Sequence, residues 1–384
     1  MNRIAILGTG AIADSHLSAY RKLSDQCRIV ALVDLFPEKA RAKAAQHQLD
    51  VPVYEHLEAL CRGVDFDAAS VCLPPFEHAA AAVALLQAGK HVLVEKPMAT
   101  CLDECDRMLA AARKNDRVLS VVAQNRYQAA VQKLKRVVES GLIGKILCAR
   151  VDSFWWRGGN YYDLWWRGTW AKEGGGCTMN HAVHHIDLLQ WMMGMPTEVQ
   201  AYAGNLAHEN SEVEDFATAT LQYANGSVGQ INASLIHHGE EQQFVLQGER
   251  AQVALPWKIR AMRQTENGFP ADNPELAAEI QTYYDQLPAA ERSGHEAQIA
   301  NFLAAVDRRE PLLLDGEQGR RAIELISAVY QSSHERRPVQ LPLSSAASFY
   351  TREGILAHAR RFHEKTRNVD NFATNDITLG RSLS

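Results

Sequence analysis

The chain has 384 residues, of which 46% are hydrophobic and 22% charged, with a formal net charge of −5. That length suffices for two domains with sizeable cores, while the charge excludes the basic footprint of a nucleic-acid or anionic-membrane binder. No apolar run approaches a membrane span. The seven cysteines (27, 61, 72, 101, 105, 148 and 177) are scattered. Only Cys101 and Cys105 are close, and neither a second pair nor a suitably spaced His completes a site, so no metal is expected. Free thiols and a start, MNRIAILGTG, that runs into a strand with no signal peptide ahead of it give a cytoplasmic expectation.

Ile4–Leu7 reads as a strand, followed by Gly8-Thr9-Gly10-Ala11-Ile12-Ala13 and a helix from about Asp14. Gly-x-Gly-x-x-Ala at a strand-to-helix turn is a dinucleotide fingerprint. Gly8 permits the tight turn, Gly10 lets the backbone reach a pyrophosphate, and Ala13 allows close helix–strand packing. The helix start offers amide donors to phosphate. A second strand, Val30–Val33, ends in Asp34, where a carboxylate takes the ribose hydroxyls and repels a 2′-phosphate, which favours NAD over NADP.

The alternation continues. Helices at Glu38–Gln48 and Leu57–Arg62 flank a candidate edge strand at Val51–Tyr54. The buried strand Ala68–Leu73 ends in Pro74-Pro75, and a helix at His78–Ala88 stops at Gly89. The strand His91–Val94 ends in Glu95-Lys96-Pro97. Such strand–helix units give a parallel sheet with ligands at the carboxyl ends of its strands. Lys96 stands at such an end, where it can donate to a substrate hydroxyl and steady an alkoxide. Pro97 permits a cis peptide. A helix at Leu102–Asn115 and a strand at Val118–Ala123 finish the unit.

A helix at Ala130–Ser140 and a strand at Lys145–Phe154 open the second unit, followed by an aromatic, basic loop. Five of the seven tryptophans fall within 155–170, interleaved with Arg157, Asn160, Tyr161, Tyr162 and Arg167. Flat rings that stack on sugars and polar groups that bind hydroxyls suit a carbohydrate pocket. The other reading is a loop folded on its own aromatic core. It leads into Gly174–Asp187, GGGCTMNHAVHHID, where Met179, Val183, Ile186, Leu189 and Met193 have helical spacing. On one continuous helix Asn180, His184 and Asp187 share a face, with His181 and His185 roughly 100° away. Strands follow at Glu198–Tyr202, Asp215–Tyr223, Ser227–Leu235, Gln243–Gln247, Ala251–Leu255 and Arg260–Gln264, with Asn225-Gly226 as a hairpin turn. Helices at Asn273–Gln286, His295–Arg308 and Gly316–Glu335 close the unit.

GTGAIA at 8–13, Asp34, EKP at 95–97 and GGG…Asn180…His184…Asp187 together resemble the glucose–fructose oxidoreductase / inositol dehydrogenase / rhizopine-catabolism (Gfo/Idh/MocA) family over about residues 1–340. The resemblance implies an α/β fold: an N-terminal Rossmann domain with a parallel sheet (1–123), and a C-terminal α/β domain with a large, mostly antiparallel open sheet (124–340). It implies hydride transfer between NAD and a secondary alcohol of a sugar, inositol or sugar derivative. Lys96 matches the family's Glu-Lys-Pro lysine and His184 its general acid/base. Asn180 stands where many members have Asp; it cannot ionise, so its expected role is to orient His184 or bind substrate. The implied cofactor residues are Gly8, Gly10, Ala11, Ile12, Asp34, Leu73, Pro74, His78, Glu95, Lys96, Gln124 and Arg167. The implied substrate residues are Lys96, Asn125, Arg126, Trp155, Arg157, Tyr161, Trp166, Asn180 and His184. A homo-oligomer, dimer or tetramer, is implied by resemblance alone.

Residues 341–384 extend beyond the resemblance. Within them Thr351–Arg367 reads as an amphipathic basic helix, with wrapping of a partner subunit and disorder both open. Two further functions fit the same motifs: a glycosidase that uses NAD transiently, and a non-catalytic NAD-sensing binding protein.

Overall fold

The computed structural model describes residues 1–370 and 372. The first unit has strands β1 (Asn2–Leu7), β2 (Cys27–Val33), β3 (Val53–Tyr54), β4 (Ala68–Val71), β5 (His91–Val94) and β6 (Leu119–Val121), with helices α1 (Ala13–Lys22), α2 (Pro37–Gln46), α3 (Leu57–Gly63), α4 (Pro75–Gln87) and α5 (Leu102–Lys114) between them. The strands form one parallel sheet in the order β3-β2-β1-β4-β5-β6. The chain reverses its winding between β1 and β4, which opens a ligand crevice at their carboxyl ends. Short strands buried on both faces, such as Ala68–Val71, explain why these segments read as continuous apolar runs.

The second unit contains α6 (Ala129–Glu139), β7 (Ile146–Phe154), α7 (Cys177–Asn180), α8 (Val183–Met193), β8 (Glu198–Gly204), β9 (Phe216–Gln222), β10 (Val228–Ser234), β11 (Gln242–Gly248), β12 (Ala251–Leu255), β13 (Lys258–Gln264), β14 (Pro270–Asp272), α9 (Pro274–Gln286), α10 (Gly294–Val306), α11 (Gly316–Glu335), β15 (Val339–Gln340) and α12 (Arg352–His358). Among the described residues its nine strands run β14-β13-β12-β11-β7-β10-β9-β8-β15, and of these pairs only β7–β10 is parallel. Alternation in β9 puts Ala217, Ala219 and Leu221 inside and leaves Thr220 and Gln222 exposed. The inner face carries α6, α8 and α11. Helix α10 leaves this unit by packing on α1: Ile299, Phe302 and Leu303 share one buried core with Leu17 of α1 and with Ile4 and Leu32 of the first sheet. No described helix is long and apolar enough to cross a membrane.

Two expectations are corrected. The single helix through Asn180 and His184 is two helices, because the Ala182 amide reaches back five residues to the Cys177 carbonyl. This wide turn rotates one ladder against the other, so the face expected for Asn180, His184 and Asp187 is broken between 180 and 184. The buried Glu214 carboxylate caps α7 through the amides of Gly176 and Thr178, both at 2.9 Å. A Cβ at Gly176 would overlap the Glu214 carbonyl, so that glycine admits another backbone rather than a ligand. The basic helix of the extension covers only Arg352–His358. Beyond it the backbone groups bond to other segments, as in Phe362 N–H to Glu212 O at 3.0 Å, and the chain stays extended. Residues 371 and 373–384 of that extension lie outside the described residues.

Candidate active site

The cofactor end is built at the β1–α1 turn. Gly8 has φ +88°, and a Cβ there would lie 2.5 Å from the Cys72 carbonyl oxygen. Gly10 instead faces open space, and Ala11 and Ile12 lead into α1 at its amino end. The Asp34 carboxylate accepts from Thr9 N (2.8 Å), Thr9 Oγ1 (2.6 Å) and Phe36 N (3.0 Å), which pins the loop to the end of β2. A carboxylate has about four acceptor sites, so capacity remains for ribose hydroxyls. Gln124 Oε1 is buried without a hydrogen-bond partner among the described residues. An open glycine loop, a carboxylate in reserve and an orphaned acceptor fit a dinucleotide.

Leu73 and Pro74 close the turn after β4. His78, expected on the cofactor, is instead buried, with Nδ1 2.8 Å from Pro97 O and Nε2 2.7 Å from Leu73 O. It clamps together the turns that end β4 and β5. The Lys96–Pro97 peptide is cis. Beneath it runs a buried chain that sequence reading missed: Tyr20 OH to Ser70 Oγ (2.8 Å), Ser70 Oγ to His16 Nδ1 (3.1 Å), and His16 Nε2 to Glu95 Oε1 (2.8 Å). A carboxylate only accepts, so His16 Nε2 carries the proton and Nδ1 accepts from Ser70. Glu95 Oε2 accepts from Lys96 N at 3.1 Å. His295 Nε2 lies 3.7 Å from Glu95 Oε1. His16, Glu95 and His295 thus present three ligand-type atoms within 4.8 Å, a cluster that hydrogen bonding between His16 and Glu95 already accounts for. Burial pushes the Glu95 carboxyl up, but His16 and His295 more than offset it and hold it well below the usual range.

Lys96 Nζ donates to the backbone carbonyl of Asn180 at 3.0 Å. Burial lowers its pKa, against the pull of Glu95 and with a further push from Arg167. The Asn180 side chain turns back, its Nδ2 2.9 Å from Gly175 O and 3.4 Å from Gly176 O, so what it offers Lys96 is its backbone. His184, in the first turn of α8, lines with Lys96 a cavity of about 20 Å³. Burial, then the charge of Lys96 and His185, holds its imidazole well below the ordinary value, so it is neutral. His181, which helical spacing placed elsewhere, is brought in by the wide turn: its Nε2 is 3.4 Å from Tyr161 OH, and its ring meets Trp155 edge-on. Burial and then Arg157 and Lys96 keep it neutral too.

The aromatic loop serves as both wall and core. Arg167 lies 4.1 Å from the Tyr161 ring centre and 4.2 Å from that of Trp166, and pairs with buried Glu173 at 2.9 Å. Arg157 pairs with Glu240 at 2.8 Å below Trp155. Trp155, Tyr162 and Trp170 are buried, and Trp165 meets Phe76 of α4 edge-on at 5.9 Å, which joins the loop to the first unit. Burial pushes the Tyr161 hydroxyl up to about 12, so it remains a donor. Asn125 accepts from Gln128 Nε2 within the 124–127 turn. Arg126 is fully buried and held by Asp187 rather than presented to the site.

The two sheets match the family's two domain descriptions: "Oxidoreductase family, NAD-binding Rossmann fold" over residues 2–123 and "Oxidoreductase family, C-terminal alpha/beta domain" over 135–341. The chain is 25% identical to a D-glucoside 3-dehydrogenase of Escherichia coli, over 88% of this chain and 97% of the relative. It is 25% identical to a myo-inositol 2-dehydrogenase of Thermotoga maritima, over 88% and 98%. Among solved structures, the WlbA dehydrogenase of Bordetella pertussis in complex with NADH and UDP-GlcNAcA superposes with a TM-score of 0.77 at 29% identity, covering 89% of this chain and 99% of that one. With a glycine loop, a Glu-Lys-Pro lysine and a helix histidine set in this frame, the chain belongs to the Gfo/Idh/MocA family of oxidoreductases and carries an NAD-binding Rossmann domain.

Proposed function

We propose that the protein transfers hydride between NAD and a secondary carbinol of a sugar, inositol or sugar derivative. The observation that carries this reading is that Lys96, just after β5 of the first unit, and His184, on α8 of the second, line one cavity. At about 20 Å³ that space takes a water, not a sugar. A ring therefore lies on the outer side of the pair, against His181 and the Tyr161–Arg167–Trp166 stack.

The nicotinamide, when bound, supplies the hydride acceptor. His184, neutral through burial, takes the hydroxyl proton. Lys96 Nζ, anchored on Asn180 O, donates to the same oxygen and steadies its developing charge. Asn180 acts by holding the lysine, and Glu95 by holding the Lys96 backbone. What supports NAD over NADP is the Asp34 carboxylate at the end of β2 beside the glycine turn, a charge that repels a 2′-phosphate. The relatives named above, which act on glucosides and inositol or bind a nucleotide sugar, support the substrate class. NADH formation followed by absorbance across inositols, aldoses, uronates, glycosides and nucleotide sugars tests it. Turnover of at least one polyol is expected. Glycoside cleavage with no net NADH, or cofactor binding with no redox on any of them, would overturn it.

A further inference from the structure

Residues 342–370, which follow the end of the family's domain match, do not trail away from the molecule. They run along the back of the aromatic loop. Arg352 Nη2 donates to Ala171 O at 2.7 Å, and Trp170 Nε1 donates to Arg360 O at 3.0 Å. Val369 then bridges the loop as a short parallel ladder: its N–H bonds Asp163 O at 2.7 Å and its carbonyl takes Trp165 N–H at 2.9 Å. Lys365 Nζ also reaches Tyr162 O.

Asn210 is the node. Buried to 2%, it gives Nδ2 to Asp163 Oδ1 (2.8 Å) and Arg367 O (3.0 Å), and its Oδ1 accepts from Thr366 N (2.8 Å) and Arg367 N (3.0 Å). One amide side chain thus ties the extension to the loop from both its donor and its acceptor end. The bonded loop positions, Tyr162, Asp163 and Trp165, alternate with or adjoin Tyr161, Trp166 and Arg167, the guanidinium of Arg167 lying over both rings and close enough to act on the charge of Lys96. Loops of this length are ordinarily mobile, and ordering one before ligand arrives lowers the entropic cost of binding.

We propose that residues 360–370 are a strap that fixes the aromatic loop 159–167 and so sets the sugar-facing wall of the site. What the wall faces rests on the dehydrogenase reading above; that the strap orders the loop does not.

The test uses the full chain carrying Thr366→Pro and Val369→Pro, which deletes two strap N–H donors and leaves every residue at the cofactor and Lys96 in place. Val369→Ala, which keeps its N–H, is the control. Amide hydrogen exchange across 159–167 is expected to quicken about tenfold or more in the double variant and to stay unchanged in β1–β6. KM for the sugar is expected to rise about tenfold with kcat held within about threefold and NADH affinity unchanged. Unchanged exchange in the loop overturns the proposal, as does a fall in kcat and NADH affinity at constant KM. If the unmodified protein oxidises no sugar, the dehydrogenase reading fails, and the exchange result still decides the strap: quickening confined to 159–167 supports it, and no change sinks it.

Discussion

Arg126 and Asp187 form a buried two-pronged ion pair, Nε to Oδ2 at 2.7 Å and Nη2 to Oδ1 at 2.8 Å, with the side chains 0% and 5% exposed. Arg126 also reaches Leu313 O and Gln318 Oε1, and its guanidinium lies 5.1 Å from the Trp191 ring. The pair therefore rivets the turn after β6 to α8 and to the start of α11. Removing one member leaves the other charge buried and alone, which costs about 3–5 kcal/mol. Asp187→Ala should lose about that much in denaturant unfolding, while Arg126→Met with Asp187→Leu should recover a large part of it. A variant of full stability whose only defect was a raised sugar KM would return both residues to the substrate site.

Lys96 and His184 should fail in different ways. His184→Ala removes the proton acceptor, and kcat should fall by about 10²–10⁴. Lys96→Ala removes a donor to the developing oxyanion, with a fall of about 10²–10³. Lys96→Arg should not rescue, because a planar guanidinium fork aims its donors differently from the compact ammonium that reaches Asn180 O. NADH binding, followed by fluorescence, should stay within about threefold in all three, since neither side chain holds the dinucleotide's phosphates. Near-normal turnover in both alanine variants would end the assignment.

Substitution can separate the loop-pinning bonds of Asp34 from the cofactor selection proposed for it. Asp34→Ala would release Thr9 as well as remove the charge, whereas Asp34→Asn keeps an acceptor for the Thr9 amide. The asparagine variant should raise the NADP-to-NAD ratio of kcat/KM by about tenfold, equivalent to some 1.4 kcal/mol of relieved repulsion. An unchanged ratio would mean that the carboxylate does not face the 2′ position.

The first sheet was legible because its signals are local: apolar runs four to seven residues long, a glycine turn, and Asp34 at a strand end. The strands of the second sheet were legible by alternation, as in Phe216–Gln222 against Val228–Ser234. The helix break at His181–Ala182 was not, because Glu214, far along the chain, sets it by capping α7. His181 entered the site through that break. Arg126 and His78 looked like ligand residues because a buried polar side chain with intramolecular partners carries the same letters as one that binds substrate. His16 and His295 gave no signal that they converge on Glu95, since that meeting exists only after α1 and α10 pack together. The strap bonds largely through backbone groups, which sequence does not label.

His185 is the sharpest case of a polar residue with no evident task. It is fully buried, neither ring nitrogen has a hydrogen-bond partner among the described residues, and burial lowers its pKa from 6.5 to about 4. A folded-state value below the unfolded one means that, between those two pH values, the unfolded chain holds a proton that the folded chain refuses. Stability contributed by this residue is therefore intact above about pH 6.5 and drains as pH falls, at up to about 1.4 kcal/mol per pH unit, until about pH 4. His185→Leu removes both the proton uptake and two unmet polar atoms, at similar side-chain volume. The variant should be as stable as the parent or more so at pH 7.5, and its advantage should widen steadily in unfolding curves taken at pH 6.5, 5.5 and 4.5. His181 and His184 shift the same way, so the variant should still lose stability on acidification, only less steeply than the parent. Parallel pH profiles for the two proteins would show that His185 is protonated equally in the folded and unfolded chains.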